Sequence, residues 1–194
     1  MNCSRIRNAA PDASRLATRA AAISEQTPSH SAAYSTSILP LRGVKGWLYE
    51  GGIRVPLIVK WPGHGNASSI SHEPVISTDF YPTILAMLGV DPLPDQHVDG
   101  ESLTPLFHGE TELHRDAIYR HFPRYSNHGM HSPGGAIRCG RYKLLEYFGS
   151  GTVQLFVLDT DLGEQDDLSL SHPEIATKLR GKNRIAGERK LRRR

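Results

Sequence analysis

Residues 41–61 restrict the fold of this chain more than any other stretch. Their first part sets four glycines around three charged residues, Lys45, Glu50 and Arg54. Residues 55–61 then form a short, almost continuous apolar run that a Pro-Gly pair ends. Such a run is typical of a strand buried on both faces of a parallel sheet. The sequence therefore predicts an α/β fold in which helices cover such a sheet.

A helix is predicted over residues 80–88, after this strand. Asp79 stands at its N-cap, and Gly89 suits the left-handed position that ends a helix. Three apolar side chains fall on one helical face and are expected to pack on the sheet: Ile84, Leu85 and Leu88.

The chain changes character after about residue 110. Residues 135–138 and 142–147 flank a Cys-Gly-Arg turn and predict a β-hairpin, and residues 153–158 alternate into a third strand. Pro173 opens a final helix. This part is expected to form a small antiparallel α+β subdomain, separate from the α/β part.

Four segments are predicted along the chain: residues 1–38, 39–109, 110–180 and 181–194. The first is rich in Ala, Ser and Arg, has no lasting hydrophobic period and lacks a secretory signal. We interpret it as an unrelated or disordered leader, for which a transit peptide and non-native coding remain open. The last segment is a basic tail.

The charge distribution argues against nucleic acid as a partner. Residues 178–194 carry nine Lys and Arg against one Glu, whereas residues 43–177 carry nine basic and seventeen acidic residues. An acidic body would repel phosphate, so a solvated tail is the favoured interpretation of the basic end.

No run reaches the ~18 apolar residues of a membrane span, and two cysteines are too few for a disulfide framework or a four-cysteine zinc site.

Lys45 is the candidate for binding an anion. Gly46 beside it lets a ligand approach the backbone closely, and an ammonium group offers a point charge. The pattern does not match a nucleotide-binding phosphate loop. The alternative is that Lys45, Glu50 and Arg54 are surface ion pairs around a flexible turn.

The motif Gly-x-Lys-Gly-x-x-x-Glu-Gly-Gly-x-Arg-Val-Pro, followed by an apolar run and Trp-Pro-Gly, resembles the sulfatase family in its arylsulfatase branch. The similarity continues in order through residues 79–84 and 99–106, then 136–138 with 142–144, and finally 155–158 with 161–164 and 167–168. It covers about residues 39–180.

This resemblance implies sulfate ester hydrolysis, on aryl or carbohydrate sulfates, by the C-terminal portion of an alkaline-phosphatase-like α/β fold. In the family a formylglycine derived from cysteine attacks sulfur while calcium holds the sulfate. Lys45 matches the family lysine that binds the sulfate oxygens and stabilises the leaving oxygen, where charge grows as the bond breaks. Glu50, Gly51, Gly52 and Arg54 match as positioning residues.

The chain departs from the family at the nucleophile and the metal. Arg5 stands where the formylglycine motif around Cys3 needs Pro or Ala, and Asp12 lacks an acidic neighbour for a hard cation. We therefore expect a C-terminal fragment that binds no calcium and hydrolyses nothing alone. Two alternatives remain open: a non-catalytic binder of sulfated glycans or anions, and one half of a split sulfatase whose N-terminal half is a separate partner. The compartment is not determined.

His121 and His128 are candidate substrate contacts. They lie with His131 in a loop rich in hydrogen-bonding groups, and the resemblance places that loop near the substrate cleft. Their spacing is not that of a zinc site, so no metal is assigned to them. Solvent-facing histidines are the alternative.

Overall fold

The computed structural model describes residues 38–66, 68–93, 99–125 and 132–192, with side chains up to residue 188. Two compact units are present, one made of residues 38–55 and 119–192 and the other of Pro56–Ile118. The elements in chain order are helix α1 (Glu50–Ile53), a 3-10 turn (Ser77–Asp79), helices α2 (Phe80–Met87) and α3 (Thr104–Phe107), strands β1 (Ile118–Phe122), β2 (Gly134–Cys139), β3 (Tyr142–Tyr147) and β4 (Val153–Val157), and helix α4 (Pro173–Arg192). The predicted four-segment division stays a prediction.

Strands β1 to β4 form one sheet in that order, and β2–β3 and β3–β4 pair antiparallel. Cys139 faces Tyr142 across the two-residue loop of Gly140 and Arg141. Gly140 has φ +58°, whereas Arg141 has no positive φ, as a type II′ hairpin turn requires. The predicted hairpin and third strand are confirmed.

Strand β3 is buried on both faces, although it contains two charged residues. Lys143 and Glu146 are each 1% exposed. Because side chains alternate along a strand, Lys143 and Leu145 point to one face and Leu144 and Glu146 to the other. Helix α4 packs on the face of Glu146, and residues 47–50 pack on the face of Lys143.

Helix α4 begins at Pro173, as predicted, and covers β2, β3 and β4. Its buried positions recur at the helical period: Ile175, Ala176, Leu179 and Asn183. A Cβ on Gly135 of β2 would come within 2.7 Å of the Asn183 amide, so this glycine permits the close approach of helix and strand. The helix continues through residue 181, where the basic segment was predicted to start.

Asp79 organises the unit formed by Pro56–Ile118. Its buried carboxylate accepts hydrogen bonds from the backbone N–H groups of Ile76 (2.8 Å) and Glu101 (3.0 Å). Arg115 donates two more through Nη1 (2.9 Å) and Nη2 (2.6 Å). Asp79 is the N-cap residue of helix α2, as predicted, but its carboxylate makes no capping hydrogen bond to the helix.

The end of helix α2 follows the prediction. Gly89 has φ +66°, its N–H donates to Ala86, and the N–H of Val90 donates to Leu85. This pair of bonds is a Schellman motif, which satisfies carbonyl groups that the helix end would leave unpaired.

Two predictions in this unit are wrong. Residues 55–61 form no strand, and Val55 and Ile58 are 81% and 91% exposed. Every strand of the described residues belongs to the β1–β4 sheet, so this apolar run has no neighbour with which to form a ladder. Ile84 and Leu88 are exposed as well, and the buried residue of α2 is Thr83. Its hydroxyl donates to Asp79 O and accepts from the N–H of Leu103.

Candidate functional site

Lys45 stands at the tip of a tight turn. The N–H of Trp47 donates to the carbonyl of Val44 at 3.1 Å, which closes a four-residue turn. Gly46, the third residue of that turn, has φ +98°, as a type II turn requires and as glycine adopts without strain. The glycine after Lys45 therefore determines the turn and places the lysine at its outermost position.

This turn is part of a longer loop, residues 42–52, which we call the lysine loop. At its base the N–H of Gly51 donates to the carbonyl of Arg42 at 2.8 Å. A Cβ on Gly51 would clash with the carbonyl oxygens of Gly43 and Arg42, and one on Gly52 with the carbonyl oxygen of Trp47. The Gly-Gly pair is needed because backbone from the start of the loop fills the space of a side chain.

Apolar packing attaches the lysine loop to the sheet. Leu48 and Tyr49 are each 5% exposed and share one core cluster with Leu145 and Phe156. The Tyr49 and Phe156 rings meet edge to face, with centroids 6.3 Å apart. The Arg42 guanidinium lies 4.2 Å from the Tyr49 ring centroid in a cation–π contact. These contacts hold the loop on the Lys143 face of β3.

Three charged side chains form a buried ionic cluster under the lysine loop: Glu50, Lys143 and Glu164, which are 3%, 1% and 0% exposed. Lys143 Nζ lies 2.8 Å from Glu50 Oε1 and 2.8 Å from Glu164 Oε1. Glu50 Oε2 also lies 3.6 Å from Arg54 and 3.8 Å from Arg138. The predicted pairing of Glu50 with Arg54 is thus present, but Lys143 is the closer partner.

Glu164 connects this cluster to the backbone of the loop. Its Oε2 accepts the N–H of Glu50 at 2.6 Å, and its own carbonyl accepts a 2.6 Å hydrogen bond from Arg42 Nη1. It adopts φ +52°, which is uncommon for a residue with a side chain. Burial raises the pKa of Glu164 above its ordinary value, against the opposing charge and hydrogen bond of Lys143.

Lys45, in contrast, is exposed, and its ammonium group has no ion pair or hydrogen bond within the part of the chain that the structure describes. The interpretation as a surface ion pair is therefore wrong for Lys45, while Glu50 is buried rather than at the surface. The lysine loop thus presents an unneutralised ammonium group to solvent, which is an arrangement suited to an anionic group of a ligand.

The family comparison matches residues 44–187 to the model of the N-sulphoglucosamine sulphohydrolase C-terminal domain. This range includes the lysine loop from its turn onward and all three residues of the ionic cluster. The chain belongs to the sulfatase family.

Individual relatives agree with this assignment. A sulfatase of Formosa agariphila is 33% identical over 168 residues, which cover 77% of this chain and 30% of that protein. Arylsulfatase A of Homo sapiens is 38% identical over 114 residues, 58% of this chain and 21% of that protein. This chain thus spans less than a third of the length of either relative.

The fold of solved sulfatases agrees as well. The crystal structure of Ps i-CgsB in complex with k-i-k-neocarrahexaose matches with a TM-score of 0.66 and 31% identity, over 77% of this chain and 32% of that one. The chain accordingly has the C-terminal portion of the alkaline-phosphatase-like sulfatase fold, as the resemblance implied.

Of the two histidines predicted to contact substrate, His121 lies in the described part of the chain and His128 does not. His121 lies on β1, its ring 5.3 Å from the Phe148 ring, and a Cβ on Gly187 of α4 would come within 3.1 Å of its Nδ1. These contacts pack His121 between sheet and helix. His128 and His131 lie outside the described residues, so the substrate contacts stay a prediction.

Calcium, which the resemblance implies for sulfatases, does not fit the described residues. No three His, Cys, Asp or Glu side chains converge there as metal ligands. Calcium takes six to eight oxygen ligands, and the carboxylates nearest the lysine loop, Glu50 and Glu164, are already bound to Lys143.

None of the described helices is long and apolar enough to cross a membrane.

Sequence reasoning missed Lys143 and Glu164. Both lie in segments that carry the resemblance to sulfatases, but the sequence analysis assigned no role to either residue. The available signal was a lysine between apolar residues of a predicted strand, because a charge buried in a strand requires an opposite charge brought by another segment.

Proposed function

We propose that this chain provides the leaving-group side of a sulfate ester hydrolase acting on aryl or carbohydrate sulfates. The Lys45 ammonium group binds sulfate oxygens and stabilises the negative charge that develops on the bridging oxygen as the S–O bond breaks. Hydrolysis itself, and the class of ester, are carried over from the sulfatase family as part of this proposal.

The supporting observation is the contrast between the two lysines of the site. Lys143 is buried with two carboxylates 2.8 Å from its Nζ, whereas Lys45 is exposed and unneutralised at the tip of the loop that those carboxylates hold. An ammonium group beside the bridging oxygen stabilises the charge that develops there, and electrostatic stabilisation of this kind is usually the largest single contribution to catalysis.

The proposal assigns the nucleophile and the metal to parts of a sulfatase other than the described residues. The formylglycine motif is not present as such around Cys3, and the described residues do not fit calcium. The residues of a catalytic unit act together, so a single retained lysine does not sustain turnover. We therefore propose that the 194-residue chain is inactive on its own.

The test is a titration with inorganic sulfate against chloride at constant ionic strength, so that general screening is the same in both series. Shifts of the Lys45 ¹³Cε and Gly46 amide NMR signals report binding. One ammonium–sulfate contact in water is worth about 1 kcal/mol per unit charge, which gives half-saturation on the order of 100 mM. Lys45→Ala should abolish the Gly46 shift, whereas Lys60→Ala, at an exposed lysine outside the loop, should preserve it.

A wild-type titration without a sulfate-specific shift at Lys45 or Gly46 would contradict the assigned role. Release of 4-nitrophenol from 4-nitrophenyl sulfate by the purified chain would contradict its inactivity alone. Turnover that requires an added N-terminal sulfatase half would identify a split enzyme, and tight binding of a sulfated oligosaccharide without turnover in any mixture would identify a glycan-binding remnant.

A further inference from the structure

One residue contacts both ends of the lysine loop. Arg42, at the start of the loop, donates from Nη1 to the backbone carbonyl of Glu164 at 2.6 Å. Glu50, towards its end, donates its backbone N–H to Glu164 Oε2, also at 2.6 Å. These contacts join positions 122 and 114 residues apart in the chain.

We infer that Glu164 is a positioning residue for Lys45: it clamps the two ends of the lysine loop and so fixes the turn that carries the ammonium group. The inference rests on the proposed function for what Lys45 does to a ligand. The clamp itself concerns only the geometry of the loop.

The contacts of Glu164 differ from those of an ordinary buried ion pair. Its carboxylate divides its oxygens between Lys143 of the sheet, at Oε1, and the loop backbone, at Oε2. Glu50 bonds the same Nζ of Lys143 with its own Oε1. Lys143 therefore holds the side chain of Glu164 in the orientation that presents Oε2 to the loop.

The backbone conformation of Glu164 supports the same inference. Its φ of +52° is one that glycine would adopt at lower cost, yet a glutamate occupies the position. A glycine would relieve the strain but remove both carboxylate contacts. A side chain retained at such a φ indicates that those contacts outweigh the strain.

The experiment compares two substitutions of Glu164. If the residue only stabilised the fold, both would have the same effect on the lysine loop, whereas a clamp predicts different effects. Glu164→Gln keeps an oxygen that accepts the Glu50 N–H but loses the charge that Lys143 requires. Glu164→Gly loses both and relaxes the backbone. Asp166→Asn, at an exposed position of the same segment, is the matched control for removal of one negative charge.

The main readout is the backbone ¹⁵N order parameter of residues 43–47, measured without ligand, beside those of β2 and β3. We expect S² of about 0.85 in the wild type, the control and Glu164→Gln, and below about 0.6 in Glu164→Gly, with β2 and β3 rigid in all four. Melting temperatures should fall in both Glu164 variants. In Glu164→Gly, the sulfate-induced shift at Gly46 should fall at least two-fold.

A rigid loop in Glu164→Gly, or equal loosening in the glycine and glutamine variants, would overturn the inference. If Glu164→Gly does not fold, Arg42→Met releases the other end of the clamp without touching the carboxylate, and a loop that stays rigid in that variant overturns the inference equally. A wild-type loop that is rigid but insensitive to sulfate would instead refute the proposed function of Lys45. The order parameters of the variants would still decide whether Glu164 clamps the loop.

Discussion

Replacing Lys143 by Met is the sharpest test of the buried ionic cluster. Methionine has a similar length and fills the space of the lysine stem, so the change removes the charge with little loss of volume. What remains is a pair of carboxylates, Glu50 and Glu164, that are 3% and 0% exposed and have lost the partner 2.8 Å from each of them.

We expect the free energy of unfolding to fall by about 3–5 kcal/mol, the usual cost of removing one partner of a buried ion pair. Arg54 and Arg138 lie 3.6 and 3.8 Å from Glu50 and compensate part of its charge, whereas the close positive partner of Glu164 is Lys143 at 2.8 Å. Glu164 should therefore carry most of the penalty. Adding Glu164→Gln to Lys143→Met should recover stability, because it removes the uncompensated charge.

Urea unfolding followed by Trp47 fluorescence measures this effect. Trp47 lies in the lysine loop, 5.9 Å from the Tyr49 ring, and Trp61→Phe removes the other tryptophan so that one reporter remains. With an m-value of about 2 kcal/mol/M, the midpoint should fall by about 1.5–2.5 M. Lys60→Met, at an exposed lysine, should change the free energy of unfolding by less than about 0.5 kcal/mol.

The pH dependence gives a second, independent check. Burial already raises the pKa of Glu164 above its ordinary value of 4.5, and Lys143 is the largest opposing influence, so its removal raises that pKa further. A carboxyl group with a raised pKa binds more protons in the folded state, and stability then falls as the pH rises from 4.5 through the folded-state pKa. The difference between wild type and variant should thus be smallest near pH 4. A loss below about 1 kcal/mol, or one independent of pH, would refute this account of the cluster.

Two further predictions concern the loop and the α4 face of the sheet. Gly51→Ala should lower the free energy of unfolding by about 1–3 kcal/mol, because its Cβ would lie 2.5 Å from the carbonyl oxygen of Arg42. Gly149→Ala, where a Cβ would meet no atom within 4 Å, should change it by less than about 0.5 kcal/mol. Equal urea midpoints for the two variants would contradict the steric argument. Burial acts to raise the pKa of Glu146, but the hydrogen bonds and charges of Arg184 and Arg180 outweigh it and hold that pKa below its ordinary value. Their stabilisation is present above pH 4.5 and is lost as the pH falls through the folded-state pKa. Arg184→Met should therefore cost about 1 kcal/mol at pH 7 and less at pH 3 in urea titrations, whereas a cost equal at both pH values would speak against the pairing.

Sequence reasoning predicted the local elements of the sheet unit well and the other unit less well. The hairpin of β2 and β3, the start of α4 at Pro173 and the glycine end of α2 each depend on a few neighbouring residues whose conformational preferences agree. The strand over residues 55–61 failed because a strand is defined by its neighbour, and the apolar pattern carries no information on whether one is present.

The candidate site divides in the same way. The sequence by itself determined the lysine loop, because its glycines at positions 46, 51 and 52 permit backbone positions that other residues would block. It also determined membership of the sulfatase family through an ordered series of motifs. Only the tertiary structure decided which charges are used: Lys143 is neutralised by Glu50 and Glu164, whereas Lys45 is left exposed. The physical reason is that the cost of a charge depends on its burial and its partners. The cluster joins Glu50 to two residues 93 and 114 positions away, which only the folded chain brings within 3 Å of it.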